Sequence, residues 1–278
     1  MTAQVQAAVA ARVPGAAALG LLPPPSAAAV PAALFADADR TADRLTALGA
    51  RYASAARRVL ATVWWYSASS VLLTPALAGL ATGRPLSARL ADTTVALLGS
   101  GTPIAASSSA PGGDTTAELR ESLAAVVDAV AAAGGVRARP LWAIATDSLA
   151  NRLLALGRAL GDEERVTALA APLAAAVGPP LPAPRYVDVA GVRFTRRVSC
   201  CLLYRLPPEP LCTSCPRRPA AEREVLLEDT AERMRQPSSR AAIARRSSST
   251  PSPVSADTGT GSGWAVRSRR SPRCPATT

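Results

Sequence analysis

Histidine and lysine are both absent from this chain of 278 residues, and each absence narrows its chemistry. Without histidine there can be no histidine-based catalytic triad, no Rieske-type cluster, no histidine-ligated haem and no Cys–His zinc finger. Any metal site must therefore use thiolates or carboxylates. Because every basic residue is arginine and alanine and proline are abundant, the arginine excess partly reflects a GC-rich coding sequence. It says little about function by itself.

Aromatic residues are also scarce, at 4% of the chain, although hydrophobic residues make up 49%. The apolar residues are mainly alanine, leucine and valine, a mixture that suits helices packed closely through small side chains. We expect an α+β fold that is predominantly helical. We expect the helical body to carry a small β-hairpin-like cysteine module near the C-terminus. We also expect both termini of the chain to be disordered.

The net charge of +11 is unevenly distributed. Residues 236–278 hold seven arginines and one aspartate, so that +6 of the charge lies in a segment rich in serine, threonine and proline. Such a composition predicts disorder, because it cannot bury enough apolar surface to fold. The rest of the chain is only mildly basic, and we expect no specific binding of nucleic acid.

Acidic, basic and histidine residues are all missing from residues 59–83, a run long enough to span a bilayer. The run contains three serines and Pro75, and Trp64, Trp65 and Tyr66 lie inside it rather than at an end. We therefore predict two buried helical segments broken near Pro75, not a membrane span. Since the N-terminal residues show no secretory pattern, we expect a cytoplasmic protein that associates with membranes at most peripherally.

The organisation along the chain follows from composition and periodicity. We predict a flexible Ala/Pro leader over residues 1–33 and a mainly helical body over residues 34–180. The body includes a short hairpin over residues 93–106, and the segment "GPPLPAP" closes it. A module with β character and four cysteines follows over residues 185–218. Residues 219–278 should form a short charged helix and then the disordered basic tail.

Four of the five cysteines lie in "RRVSCCLLYRLPPEPLCTSCPRR", which begins at Arg196. Cys200 and Cys201 are adjacent, and ten residues separate them from the Cys-x-x-Cys pair. That pair, Cys212 and Cys215, can direct two sulfurs towards one metal. Adjacent side chains of an extended chain point to opposite faces, so the first pair is a poor chelator of zinc. The residues favour an iron–sulfur cluster over zinc, with redox-active disulfides and unreactive thiols as further alternatives.

The spacing of these cysteines resembles the C-terminal signature of the FhuF-like ferric siderophore reductases. The likeness lies in the adjacent cysteines, the tyrosine and arginine after them, the ten-residue interval and the Cys-x-x-Cys-Pro ending. Two further segments, "LWAIATDSLANRLLALGRAL" and "LLTPALAGLATGRPLSARL", are similar to segments of that family. The resemblance covers roughly residues 40–216.

This resemblance implies a [2Fe-2S] cluster held by four ligands: Cys200, Cys201, Cys212 and Cys215. It also implies a cytoplasmic ferric-siderophore reductase, an oxidoreductase that takes electrons from an unidentified donor and releases Fe(II). No catalytic residue beyond the cluster is implied. The alternative from a different class is a non-catalytic sensor or interaction protein that binds zinc or an iron–sulfur cluster. Cys274 matches nothing, and we predict a free thiol in the tail.

Charged and aromatic residues near the cysteines permit two interpretations. Arg196, Arg197 and Arg205 could contact the chelate or tune the cluster, but we favour solvated charges on a hairpin. Tyr204 could shield the cluster, although packing within the module is the simpler role. Similarly, the aromatic cluster at residues 64–66 and Trp142 could face a siderophore, and we favour the core.

Overall fold

Helices make up most of the described chain, and two small antiparallel sheets complete the fold. The computed structural model describes residues 3–206 and 209–236. Its helices are α1 (Ala3–Ala10), α2 (Ala38–Arg51), α3 (Arg57–Ala81), α4 (Thr115–Gly134), α5 (Ala138–Leu160), α6 (Glu163–Ala168), α7 (Ala170–Val177) and α8 (Ala220–Arg235). The strands are β1 (Ala28–Pro31), β2 (Thr93–Leu97), β3 (Pro103–Ser108), β4 (Tyr186–Val189) and β5 (Val192–Thr195). The predicted fold class, predominantly helical α+β, is confirmed.

Helix α3 lies at the centre of the molecule and packs against α5, α4, α2 and strand β3. It runs without interruption through Pro75, so the predicted break at this residue is wrong. Proline removes one hydrogen bond from the helix. Here Pro75 is itself buried, and surrounding helices hold both halves of α3 in line. Trp65, fully buried, donates from its indole nitrogen to the Leu141 carbonyl oxygen at 2.7 Å and joins α3 to α5.

Within the described residues, no helix combines the length and the apolar character that crossing a bilayer requires. Although α3 has 25 residues, serines, threonines and glycine interrupt its apolar side chains. Its burial on nearly all sides is explained by neighbouring protein elements.

The predicted hairpin over residues 93–106 is present as β2 and β3. Strand β1 adds to the other edge of β2, giving an antiparallel sheet in the order β1-β2-β3. Val95 of the central strand faces the core and is fully buried. The sheet packs against α3 through β3.

The N-terminal segment differs from the flexible leader predicted for residues 1–33. It contains α1 and β1, and Gln6 of α1 is buried. The Gln6 amide nitrogen donates to the carbonyl oxygens of Leu21 (2.7 Å) and Ala106 (2.8 Å), and its oxygen accepts from the Ser108 backbone at 2.6 Å. Because this one side chain completes backbone hydrogen bonds of two segments, the N-terminal segment is fixed to β3.

The cysteine module packs directly on the helical body. Strands β4 and β5 form the predicted hairpin, and its turn residues Ala190 and Gly191 both have positive φ, as a tight two-residue turn requires. Strand β5 contacts α5, and the predicted charged helix, α8, contacts β4. Body and module belong to one unit that ends at Arg235. The predicted disordered tail and Cys274 lie outside the described residues.

Gly79 offers a test of how closely α3 is packed. A Cβ atom at this position would lie 2.7 Å from the Arg84 carbonyl oxygen and 2.7 Å from the Leu86 nitrogen, both backbone atoms. We expect Gly79→Ala to destabilise the protein by about 2 kcal/mol, since the backbone must move to admit the methyl group. Thermal unfolding should then occur about 4–8 °C lower.

Gly99→Ala is the matched control, because a Cβ atom there meets no atom of the described residues within 4 Å. Equal melting temperatures for the two variants would show that the contact between α3 and residues 84–86 is not as close as the structure places it.

Candidate metal centre

The four cysteines of the motif line one small cavity of about 80 Å³, here called the thiol cavity. All four are free thiols, and the sulfurs of Cys200 and Cys215 lie 3.7 Å apart. A disulfide needs a separation near 2.05 Å. Two thiolates bound at about 2.3 Å to one tetrahedral metal lie about 3.8 Å apart, so the observed separation suits a pair that shares a metal. Folding thus brings both halves of the motif together.

The adjacent cysteines can both face this cavity because the chain has left the extended conformation. Strand β5 ends at Thr195, before the cysteines. Immediately after them Leu202 has a positive φ of 62°, and a 3₁₀ turn follows over Leu203–Arg205. A residue other than glycine rarely adopts this conformation. The strand break that joint ligation requires is therefore present.

Each of the adjacent cysteines is paired with a different member of the Cys-x-x-Cys turn. Cys200 lies beside Cys215, as described above. Cys201 and Cys212 are joined through Arg197, whose Nη1 atom lies 4.0 Å from the first sulfur and 3.4 Å from the second. Within residues 3–206 and 209–236, no group of three or more Cys, Asp or Glu side chains is arranged to hold a metal ion. The thiols stand as two pairs.

The Cys-x-x-Cys segment is a tight turn fixed from outside. The Cys215 backbone nitrogen donates to the Cys212 carbonyl oxygen at 3.1 Å. The Arg218 side chain donates to the same oxygen at 3.0 Å and to the Leu211 carbonyl oxygen. The ends of this turn differ in exposure, since Cys215 is buried and Cys212 is exposed to solvent.

Asp147 of α5 anchors the chain just before the adjacent cysteines. Its carboxylate is 1% exposed and accepts hydrogen bonds from the backbone nitrogens of Val198 (2.8 Å) and Ser199 (3.0 Å). It also accepts from the Ser199 hydroxyl at 2.6 Å and from Arg197 Nε at 3.3 Å. A buried carboxylate needs such partners to remain charged. Four donors from three consecutive residues thus fix the chain segment that immediately precedes Cys200.

Sequence reasoning missed Asp147, although a signal was present. Helix α5 buries most of its central turns, and Asp147 is a lone acidic residue between the buried Thr146 and Ser148. A charge on a buried helical face is rarely tolerated without a specific partner.

Arg197 lies between this carboxylate and the thiols. Its side chain is 4% exposed, and its Cζ atom stands 5.1 Å from the centre of the Tyr66 ring. Burial acts to lower the pKa of Arg197, but the acidic groups around it, Tyr66 first and then Asp147 and two thiols, raise the pKa above its ordinary value. The guanidinium therefore keeps its charge beside the sulfurs.

One atom of Arg197 is left without a partner, and it supplies a test of whether a cluster fits. Among the described residues, no acceptor lies within hydrogen-bonding distance of the buried Nη2 atom. Buried donors in folded proteins are nearly always paired. A negatively charged, thiolate-ligated group in the thiol cavity would supply acceptors to a guanidinium that lines the same cavity. The all-sulfur donor set fits an iron–sulfur cluster as well.

The other predicted contacts are placed differently. Arg196 and Arg205 are exposed, as expected for solvated charges, whereas the buried Arg197 corrects that interpretation for its own position. Tyr204 is partly buried and lines the thiol cavity, with the Arg217 guanidinium 5.8 Å from its ring centre.

The aromatic cluster divides between two environments. Trp64, Trp65 and Trp142 are buried in the core, as predicted. Tyr66 instead lines the thiol cavity and contacts Arg197. It occupies the helical face next to that of the tryptophans, which sequence periodicity did not separate from the core.

Burial also affects the thiols themselves. It raises the pKa of Cys200, an effect that a hydrogen bond from the Leu202 backbone partly opposes. Partial desolvation of the thiol likewise raises the pKa of Cys212, although the residue as a whole is exposed, and the charge of Arg197 partly opposes this. Without a metal both groups therefore favour the protonated form, and ligation must displace their protons.

The Asp147 anchor predicts a large effect on stability. We expect Asp147→Asn to lower the free energy of unfolding by about 3 kcal/mol, because it leaves the buried Arg197 charge without its partner. Urea denaturation measures this difference. Asp128→Asn is the control, since Asp128 is an exposed helical aspartate. A loss no greater than that of the control would contradict the anchoring role.

Comparison with known proteins agrees with this site. The model of the FhuF 2Fe-2S C-terminal domain matches residues 197–217, a segment that begins at Arg197 and contains all four clustered cysteines. No curated protein matches the chain. The match confirms the predicted resemblance over the cysteine segment and points to a [2Fe-2S] cluster as the cofactor. The similarity to the FhuF 2Fe-2S C-terminal domain is confined to this short segment.

Proposed function

We propose that the protein is an oxidoreductase that reduces Fe(III) in siderophore-type chelates by one electron and thereby releases Fe(II). The observation that carries this proposal is that four thiols line a single cavity at the protein surface. In this proposal Cys200, Cys201, Cys212 and Cys215 are the ligands of the cluster, and the protein acts in the cytoplasm, where thiols stay reduced.

The chemistry of iron chelates explains why one electron is sufficient. Hard oxygen donors bind the smaller and more highly charged Fe(III) far more tightly than Fe(II). A bound [2Fe-2S] cluster supplies one electron at a potential set by its surroundings. The chelate gains this electron at iron, and its hold on the metal weakens without any covalent bond being broken.

The residues around the thiols have separate roles in this proposal. Asp147 fixes the segment that carries the adjacent cysteines, and it orients Arg197 towards the sulfurs. The positive charge of Arg197 stabilises added negative charge in the thiol cavity, which raises the reduction potential. Burial of Cys201 and Cys215 keeps water from one side, whereas the exposed Cys212 leaves the other side open.

The first test is anaerobic reconstitution with iron and sulfide, followed by absorption and EPR spectra. We expect a coloured protein whose dithionite-reduced form gives the EPR signal of a [2Fe-2S] cluster. Mixed with a ferric chelate, the reduced protein should form one Fe(II) per cluster, trapped by a ferrous-specific dye. Cys212→Ser should lose most of the cluster, because one of four ligands is replaced.

Cys274→Ser is the matched control, since Cys274 lies outside the matched segment. It should load and reduce iron as the unaltered protein does. A colourless protein with bound zinc would contradict the proposal. A reduced cluster that transfers no electron to any ferric chelate would instead favour the alternative, a non-catalytic sensor or interaction protein.

The role of Arg197 makes a second prediction. Arg197→Gln should lower the reduction potential of the cluster by on the order of 50 mV, because a buried positive charge near the thiolates is lost. A spectroscopic redox titration measures this change. Arg196→Gln removes an exposed charge from the neighbouring residue and should shift the potential much less, since water screens it. Equal shifts would show that proximity to the sulfurs is not what matters.

A further inference from the structure

A second, larger cavity lies beside the thiol cavity and shares Cys200 with it. It has a volume of about 520 Å³, within the range of roughly 300–1,000 Å³ typical of small-molecule sites. Its walls come from the start of α3, the start of α5 and the segment that carries the adjacent cysteines. Four arginines line it: Arg58, Arg137, Arg139 and Arg217. It is called the arginine cavity below.

Every charged side chain in the lining of this cavity is positive. Among the described residues, no aspartate or glutamate contributes to that lining. The four arginines are exposed, and in the part of the chain that the structure describes none of them forms a salt bridge. Some arginines elsewhere do have an acidic partner, as Arg193 has Asp188. Arg58 donates to the Gly135 carbonyl oxygen at 2.9 Å, and Arg217 lies over the Tyr204 ring, so the partners of these two are not acids. Arginines without an acidic partner that line a concave surface are a recognition element for anions.

The backbone adds to this potential. Helices α3 and α5 both contribute residues of their first turns to the cavity. Neither Ala56 nor Arg137, the residues that precede these helices, caps its helix with a side chain. The N-terminal end of a helix carries a partial positive charge. Two such ends therefore reinforce the four arginines.

The cavity is apolar between its charges. Val198 is 40% exposed here, and Leu141 and Leu202 also contribute to the lining. An occupant with aromatic or aliphatic surface as well as negative charge would suit it best. The arginine cavity also meets the thiol cavity directly, because Cys200 lines both.

We infer that the arginine cavity binds the ferric chelate and selects chelates with a net negative charge. This inference rests on the proposed function, which makes a ferric chelate the substrate. A tris(catecholate) complex of Fe(III) carries three negative charges and aromatic surface, whereas a tris(hydroxamate) complex is neutral. The cavity matches the first on both counts, and Cys200 places such a complex next to the cluster ligands.

Gallium(III) tris(catecholate) is a suitable probe, since Ga(III) forms the same type of complex as Fe(III) but accepts no electron under these conditions. Its binding to the cluster-loaded protein is measured by calorimetry. The variant Arg137→Gln/Arg139→Gln should weaken binding about tenfold, because two charge-assisted contacts are lost. Binding of the neutral gallium tris(hydroxamate) should not change. Added salt should weaken the binding of the anionic complex to the protein and leave the binding of the neutral complex unchanged.

Arg40→Gln/Arg84→Gln is the matched control, because it removes two exposed arginines that line none of the described cavities. Equal affinity of the unaltered protein for both gallium complexes would overturn the inference. So would an equal loss in the control, or a loss confined to Arg196→Gln/Arg205→Gln. Arg139→Glu gives a second variant at the cavity, and thermal unfolding verifies that each variant is folded.

Gallium binding separates this inference from the proposed function, because it needs no electron transfer. Selective binding of the anionic complex without reduction of its iron counterpart would contradict the reductase function and leave the anion site standing. Reduction of both iron complexes without selective gallium binding would contradict the anion site and leave the reductase function standing.

Discussion

The buried carboxylate of Asp147 is the interaction on which the cysteine site depends. It lies in the middle of α5, a helix packed against the central α3, and binds three consecutive residues that lead into the adjacent cysteines. A small hairpin module has little core of its own, so its geometry must come from its neighbour. The ion pair between Asp147 and Arg197 fixes the position of the Arg197 guanidinium beside the thiols relative to the helical body.

This arrangement also explains an awkward feature of the motif. Two adjacent cysteines in an extended strand would point to opposite faces. The chain instead turns at Leu202. Cys200 then lies beside Cys215, and Arg197 lies near the sulfurs of both Cys201 and Cys212. Thiols from the two ends of the motif therefore line the same cavity.

Local patterns predicted the elements whose conformation is decided locally. The hairpin of β4 and β5 follows from alternating apolar residues around Ala190 and Gly191. Sequence patterns gave wrong predictions where burial against other elements decides the conformation. A proline normally breaks a helix, yet α3 continues through Pro75 because other helices and a strand pack around α3. The N-terminal segment has the composition of a linker, but the hydrogen bonds of Gln6 fix it to β3.

The sequence by itself determined the donor set and its order: four thiols, no histidine and a recognisable spacing. These are covalent facts, and the resemblance that implies a [2Fe-2S] cluster rests on them. Only the tertiary structure decided which charges act on the site. Asp147 and Arg197 come together across fifty positions, and the arginine cavity collects side chains from α3, α5 and the cysteine segment. Such proximity is set by the packing of helices against one another, and no local pattern of residues encodes it.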